Sequence, residues 1–290
     1  MATDDAGEVL DRAHAHLVSE PVLHNPITGL LHARVARPEP GRYWVVERDG
    51  AAAGVVLQSP IDFFATTTPM STEHTTAAVD AIVDAGTELP GVNAEAATAA
   101  RFAGHWTERT GRAAHADQGQ RIYALEPPAS ARPTTGGPRL GEGTDRDLLV
   151  EWMAAFHAEA GEGPGTPDEM VERRLANRDL WLWEDGAPVS LAGISAPVAG
   201  VSRVGPVYTP KPVRGRGYAS ALVTAVSAAA TEAGNGCMLY TDLSNPVSNS
   251  IYRAIGYRAV AEALRYRFAG PTKGDTGGSH RVDHSTASGS

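Results

Sequence analysis

Residues Val204 to Ala219 read VGPVYTPKPVRGRGYA. An apolar strand delivers the chain to Thr209-Pro210, and a loop carrying Arg214, Gly215, Arg216 and Gly217 opens directly into a helix. Glycines let a backbone fold close around a ligand, and a helix N-terminus offers unpaired N–H groups with about half a positive charge. Two arginines add full charges at the same place. The segment is built either as a pyrophosphate cradle or as a plain turn with two solvated arginines.

Working outward, the elements around this loop interleave. Thr144 with Asp147 three residues on starts a helix whose apolar positions Leu148, Leu149, Trp152, Met153 and Phe156 recur at helical spacing. Thr166-Pro167-Asp168-Glu169 predicts a capped second helix to about Asn177. A hairpin follows, then a strand over Val201 to Tyr208, a helix over about Gly217 to Ala233 and a strand over Cys237 to Thr241. A helix from about Pro246 to Ile255 and two short strands, Arg258 to Val260 and Leu264 to Phe268, close the segment. Helices and strands arranged around one sheet make the class α/β or α+β.

Two ligand classes fit the glycine loop. A dinucleotide site is imitated by Gly215, Gly217 and Ser220, with Asp242 ending the following strand where a ribose-binding acid would stand. Against it, the TPKPV insert precedes a turn that should be tight, and the third glycine is missing. The other class is carried by Arg214, Gly217 and Ala219 together with a later string, NPVSNSIYRAIGY, which places Asn245, Ser248, Tyr252, Gly256 and Tyr257 in order. Both elements, separated by a helix and a strand, closely resemble the acyl-coenzyme A site of the GNAT acetyltransferase superfamily. The resemblance covers about Thr144 to Phe268.

The resemblance implies a mixed, mostly antiparallel central sheet flanked by helices, and acetyl-CoA as co-substrate. In that family the strand before the loop splays from its neighbour and pairs with the pantetheine arm, a place held here by Val207, Tyr208 and Thr209. Backbone N–H groups from Arg214, Gly215, Arg216, Gly217, Tyr218, Ala219 and Ser220 would hold the pyrophosphate. Asn245 would hydrogen-bond the pantetheine arm, with Ser248 in the same region. Tyr252 would stand beside the sulfur: a phenol near pKa 10 stays protonated at pH 7 and can donate to a departing thiolate. An alkyl amine with a pKa near 10.4 is only about 0.04% neutral at pH 7, so a proton must also be removed. Many relatives use a glutamate on the splayed strand, but Val201 to Tyr208 contains no carboxylate. Glu159, Glu162 and Asp242 are the candidate bases, and His157 is plausible by type. The implied reaction is direct acetyl transfer to an amine in a ternary complex. A non-catalytic acyl-CoA-binding sensor and an NAD(P)-dependent oxidoreductase stay open as alternatives.

Composition bounds the partners. The 290-residue chain is 42% hydrophobic and 20% charged, with a formal net charge of -9. A polyanion binds nucleic acid or anionic lipid poorly, so any phosphate must sit in a local cationic pocket, and the expected partner is a small-molecule or peptide amine. The single cysteine, Cys237, cannot form an internal disulfide, and no histidine is spaced with it as a zinc site requires, so no metal is expected. Asp4, Asp5 and Glu8 stand where a signal peptide is basic, and the most apolar run, Ala219 to Ala230, is too short to cross a bilayer. A cytoplasmic protein is expected; the sequence sets no oligomeric state.

PPASARPTTGGP, Pro127 to Pro138, reads as a linker, and the segment from Gly270 onward, with His280 and His284, as a disordered tail. The expected division is a first domain over 1–127, a linker over 128–138, a second domain over 139–269 and a tail over 270–290. The two halves look like a diverged repeat. Trp44-Val45-Val46-Glu47 with Asp49-Gly50 matches Trp181-Leu182-Trp183-Glu184 with Asp185-Gly186, and Thr68-Pro69 matches Thr209-Pro210. Asn93, Ala96, Ala100 and Gly104 share the spacing of Asn245, Ser248, Tyr252 and Gly256. From Pro69 to Gly86 is 17 positions against 24 from Pro210 to Gly234, a deficit the length of the Arg-Gly loop. With Ala100 in the place of Tyr252, the first half reads as a degenerate GNAT-like domain that has lost coenzyme binding and serves to pack or to wall the acceptor pocket.

Overall fold

The computed structural model describes residues 1–126, 131–160 and 166–270. Pro127 to Ser130, Glu162 and the expected tail beyond Gly270, with His280 and His284, lie outside them.

Both halves run through the same succession of elements. In the first they are β1 (Ala2–Thr3), α1 (Ala6–Ser19), α2 (Asn25–Ala36), β2 (Arg42–Arg48), β3 (Ala51–Gln58), β4 (Ala65–Thr67), α3 (Thr72–Asp84), β5 (Gly91–Glu95), α4 (Ala96–Thr110) and β6 (Ala114–Leu125). The second gives β7 (Gly137–Leu140), α5 (Arg146–Ala160), α6 (Pro167–Asn177), β8 (Leu180–Glu184), β9 (Pro188–Ile194), β10 (Val201–Tyr208), α7 (Tyr218–Glu232), β11 (Gly236–Asp242), α8 (Pro246–Ala254) and β12 (Tyr257–Phe268). The expected hairpins are β2–β3 and β8–β9, both antiparallel. Parallel pairing occurs at β4–β5 and β10–β11, the two places where a helix crosses over between strands.

Among the described residues the strands form one twelve-stranded sheet in the order β1-β2-β3-β4-β5-β12-β6-β11-β10-β9-β8-β7. The last strand of each half is inserted into the other half. β12 lies between β5 and β6, pairing with β6 along its whole length from Tyr257–Leu125 to Phe268–Ala114, and β6 lies between β12 and β11. Nothing in a strand's period-two pattern names its partner, so this exchange is invisible in the sequence.

Four sequence expectations change in detail. The two closing strands are one strand, β12, whose register shifts between Ala259 and Ala261; the extra residue bends the strand without ending it. A 3-10 turn over Gly143–Asp145 precedes α5, and Asp145 accepts from the Glu142 N–H at 2.9 Å, taking the capping role expected of Thr144 and Asp147. The Thr166 hydroxyl donates to the Glu169 carboxylate at 3.0 Å rather than capping α6. Part of the Pro127–Pro138 segment is held against the second half: Trp183 Nε1 donates to the Thr135 carbonyl at 2.8 Å, and β7 begins at Gly137.

On one face of the second half, Tyr218, Leu222 and Val226 of α7 pack over Ala192, Val204 and Leu239 and meet Tyr252, Tyr257 and Tyr123. Each large apolar side chain sealed in this way contributes about 2 kcal/mol. On the opposite face a smaller cluster of Val201, Met238, Ile122 and Ala263 packs against Val22 and Leu23, between α1 and α2. Asn25 at the start of α2 donates to the Val201 carbonyl at 2.9 Å, so the first half is bonded directly to the strand that leads into the glycine loop.

Candidate active site

β10 and β11 pair only through Val201–Arg203 and Gly236–Met238. Beyond that point β10 follows β9, with Val207 opposite Ala192 and Tyr208 opposite Leu191, and an irregularity between Val204 and Val207. β11 follows β6 through Asp242–Gln120. Arg174 of α6 donates to the Gly205 carbonyl at 3.1 Å and so fixes the bend in β10. The facing edges of the two strands carry backbone groups with no partner across the wedge, the condition for an extended ligand to pair there. A cavity of about 1470 Å³ occupies the wedge and continues between the two halves.

The mouth of the wedge is the glycine loop. Gly215 and Gly217 sit at φ +79° and +89°, in the left-handed region, and nothing lies within 4 Å of where a Gly215 Cβ would stand. Gly217 precedes α7 and supplies no side chain to cap it, which leaves the first N–H groups of α7 open toward the cavity. The corresponding helix of the first half is closed: Ser71 accepts from the His74 N–H at 3.2 Å at the start of α3. Arg216 and Arg132 are exposed beside the open end and line the same cavity. Arg214 donates to the Thr209 carbonyl and to Glu159, each at 2.7 Å.

Further in, α8 presents Tyr252. Asn245 caps α8 by accepting from the Ser248 N–H at 3.0 Å, which leaves its amide nitrogen for a ligand. Asn249, one turn along, is buried and accepts from the Tyr123 hydroxyl at 2.9 Å while donating to the carbonyls of Asp242 and Asn245 at 2.9 and 2.7 Å. A residue of β6 thereby fixes the helix that carries Tyr252. The Tyr252 ring lies between those of Tyr123 and Tyr257, with centroids 6.3 and 6.2 Å away. Its hydroxyl makes no hydrogen bond among the described residues, and the side chain lines the cavity. Burial pushes the phenol up to about 12, so it holds its proton at neutral pH.

The remaining sequence candidates are placed as follows. Val207, Tyr208, Thr209, Arg214 through Ser220, Asn245, Ser248 and Tyr252 all line the one cavity. Within that set, the Tyr218 ring is packed into the core and its hydroxyl donates to Asp185 at 2.6 Å, so its backbone N–H is the group available to a ligand. Glu159 is engaged by Arg214 at 2.7 Å and approached by Lys211 at 3.9 Å. Asp242 accepts from the Ser244 N–H and hydroxyl, both at 2.7 Å, which makes it a turn-forming group at the end of β11. His157 lines the cavity as well. Cys237 is buried under Ser227 and burial pushes its thiol up to about 11, which fits a core residue. Among the described residues no group of three or more His, Cys, Asp and Glu could hold a metal, and no helix is long and apolar enough to cross a membrane. Sequence reasoning missed Asn249, Tyr123, Arg132, Arg174 and Arg203. Asn249 lies inside the quoted NPVSNSIYRAIGY string, but its partner is 126 residues away.

In the first half the helix caps set the repeat in a different register. α4 is capped by Glu95 and α8 by Asn245, so the position seven residues on is Phe102 in the first half and Tyr252 in the second. Phe102, fully buried, therefore takes the place expected of Ala100. The matching position still lacks a hydroxyl.

Residues 189–266 match the family model described as FR47-like protein. No curated protein matches. Among solved structures, an acetyltransferase of the GNAT family from Colwellia psychrerythraea superposes with a TM-score of 0.66 at 11% identity, covering 93% of this chain and 99% of its own. A GCN5-related N-acetyltransferase from Sphaerobacter thermophilus gives 0.60 at 19% identity, covering 92% and 95%. One from Kribbella flavida gives 0.55 at 19% identity, covering 85% and 95%. The chain shares the fold of these GNAT acetyltransferases along nearly its whole length. The FR47-like match, residues 189–266, takes in the wedge, the glycine loop and α8.

Proposed function

We propose that this protein transfers an acetyl group from acetyl-CoA directly to an amine of a small molecule or peptide, within a ternary complex. The observation that carries the proposal is one cavity lined at its mouth by an uncapped helix N-terminus with exposed arginines and, further in, by a buried tyrosine hydroxyl without a partner. The residues present fit the co-substrate. The N–H groups at the start of α7, with Arg216 and Arg132, suit a pyrophosphate, and the open edge of Val207–Thr209 and the free Asn245 amide suit a pantetheine arm.

When bound, acetyl-CoA supplies an activated thioester, whose C–S bond breaks as the C–N bond to the amine forms. Tyr252 keeps its proton until sulfur charge develops and then gives it to the departing thiolate, regaining one from solvent. The two protons an ammonium acceptor loses, one before attack and one as the C–N bond forms, leave through water, since Glu159 and Asp242 are both engaged elsewhere. Among acceptor, coenzyme and protein only the acetyl group and one proton, from Tyr252 to sulfur, are exchanged. The first half, with α3 capped and Phe102 at the tyrosine position, is the silent partner and walls the cavity.

The test is release of free thiol from acetyl-CoA in the presence of an amine panel, with acetylated product identified by mass. Arg216→Ala should weaken acetyl-CoA binding in calorimetric titration. Thioester hydrolysis without any acetylated amine would instead favour the sensor reading, and binding of NAD(P) but not acetyl-CoA would overturn the assignment.

A further inference from the structure

The acceptor side of the cavity contains a cation that the coenzyme reading does not use. Arg203 is the last residue of β10 paired with β11, at the vertex of the wedge, and its side chain is accessible from the cavity. It shares a strand face with Val201, the face toward α1 and α2 and away from α7. No hydrogen bond or ion pair reaches its guanidinium among the described residues. The other cation nearby, Arg174, is already satisfied by Asp179 at 3.1 Å and by the Gly205 carbonyl. Tyr240 of β11 is the polar neighbour of Arg203, and it too lines the cavity.

Arg203 is exposed, and the surface it exposes opens on the cavity, where a ligand can touch it. The protein packed around it is the main cause lowering its pKa, with Tyr240 opposing and Arg174 adding to the decrease. A guanidinium on the cavity wall with no side-chain partner among the described residues can take an anion, and its planar fork is matched by a carboxylate. The carboxylates that line the cavity are committed: Glu95 accepts from Ala97 N–H, Thr98 N–H and the Thr98 hydroxyl at the start of α4, and Glu159 and Asp242 are held as described. Among the described residues Arg203 therefore lacks a side-chain partner, and it faces the space left for the acceptor.

We propose that Arg203, with the Tyr240 hydroxyl beside it, binds the carboxylate of the acceptor, so that the substrate is an amine that also carries an acidic group. This rests on the acyl-transfer reading above and names its acceptor class. The charge of Glu159, the acidic group nearest the loop, is answered by Arg214 and Lys211 rather than offered to a cationic substrate.

The experiment compares matched amines of equal chain length, one with a terminal carboxylate, one with an amide, one with a second amine and one with a phosphonate. Turnover and equilibrium binding are both measured in the presence of coenzyme A or acetyl-CoA. The expected result is a preference of about ten-fold or more in kcat/KM for the carboxylate over the amide, since a charge-assisted hydrogen bond is involved. That preference should be lost in Arg203→Met and partly kept in Arg203→Lys, with acetyl-CoA affinity unchanged. Tyr240→Phe should lower the preference less and serves if the arginine variants fail to fold. Equal use of carboxylate and amide by the unaltered protein, or an Arg203→Met protein that keeps the preference, overturns the anion site and leaves acyl transfer standing. Arg203-dependent carboxylate binding with no acetylation of any amine supports the anion site and overturns acyl transfer. A stronger response to phosphonate than to carboxylate would assign Arg203 to a phosphate-bearing ligand and overturn the carboxylate.

Discussion

Tyr252 separates proton donation from ring packing more cleanly than any other residue of the site. Among the described residues its hydroxyl has no partner to lose, so Tyr252→Phe removes one oxygen from the cavity wall and leaves the packing against Tyr123 and Tyr257 in place. Turnover should fall by about 10²-fold or more with acetyl-CoA affinity nearly unchanged, read by steady-state kinetics beside calorimetry. A second prediction concerns His16 and His24, whose rings lie 4.6 Å apart in the first half. Burial, helped by the charge of His24, holds His16 down to about 4, and burial also lowers His24. The unfolded chain therefore binds more protons than the folded one between about pH 6.5 and 4, and stability must fall as pH drops through that window. Chemical denaturation across this range should show the loss, and His16→Gln should flatten it.

At the level of elements, the helix caps carry most of the information. The N-terminus of α7 is open where that of α3 is closed by Ser71, and the glycine loop marks the difference in the sequence. Motif spacing also made the order of strands and helices legible, because apolar period and turn residues act locally. Register between the halves was not: spacing from Asn93 pointed to Ala100, while the cap at Glu95 points to Phe102, because the repeat is anchored by a helix start that the string alone does not mark. Partner choice was equally hidden. Glu159 looked like a free carboxylate, but its neighbour Arg214 is 55 residues away. Asn249 gives the element-scale prediction. Asn249→Ala should cost about 2 kcal/mol or more in denaturant unfolding, because it strands the buried Tyr123 hydroxyl and frees the start of α8. Turnover should fall with it, and a change in coenzyme affinity smaller than the change in kcat would mark loosened Tyr252 placement.

For the whole molecule, the interlocked β6 and β12 decide how the chain can be divided. A fragment of residues 131–290 lacks β5 and β6, so β11 loses its partner on one edge and β12 its partners on both, leaving three unpaired edges. Expressed alone it should aggregate or lack fixed near-ultraviolet signals, and co-expression with residues 1–130 should recover a soluble complex on size exclusion. A well-folded, monomeric 131–290 fragment would overturn this. The interlock also gives the first half a structural part in the site: its strand β6 carries Tyr123 to α8, and its α2 holds Val201 through Asn25.

The same interlock sets an order in time during synthesis on the ribosome. Arg121 of β6 and its partner Glu262 of β12 are 141 residues apart in the chain. At ordinary elongation rates that separation is on the order of ten seconds, during which β5 and β6 have emerged and the slot between them is empty. The first half cannot finish its sheet until β12 has been translated. A nascent chain of this protein therefore carries an open sheet edge from the emergence of β6 until β12 follows, and it is during that interval that it depends most on being shielded from its neighbours.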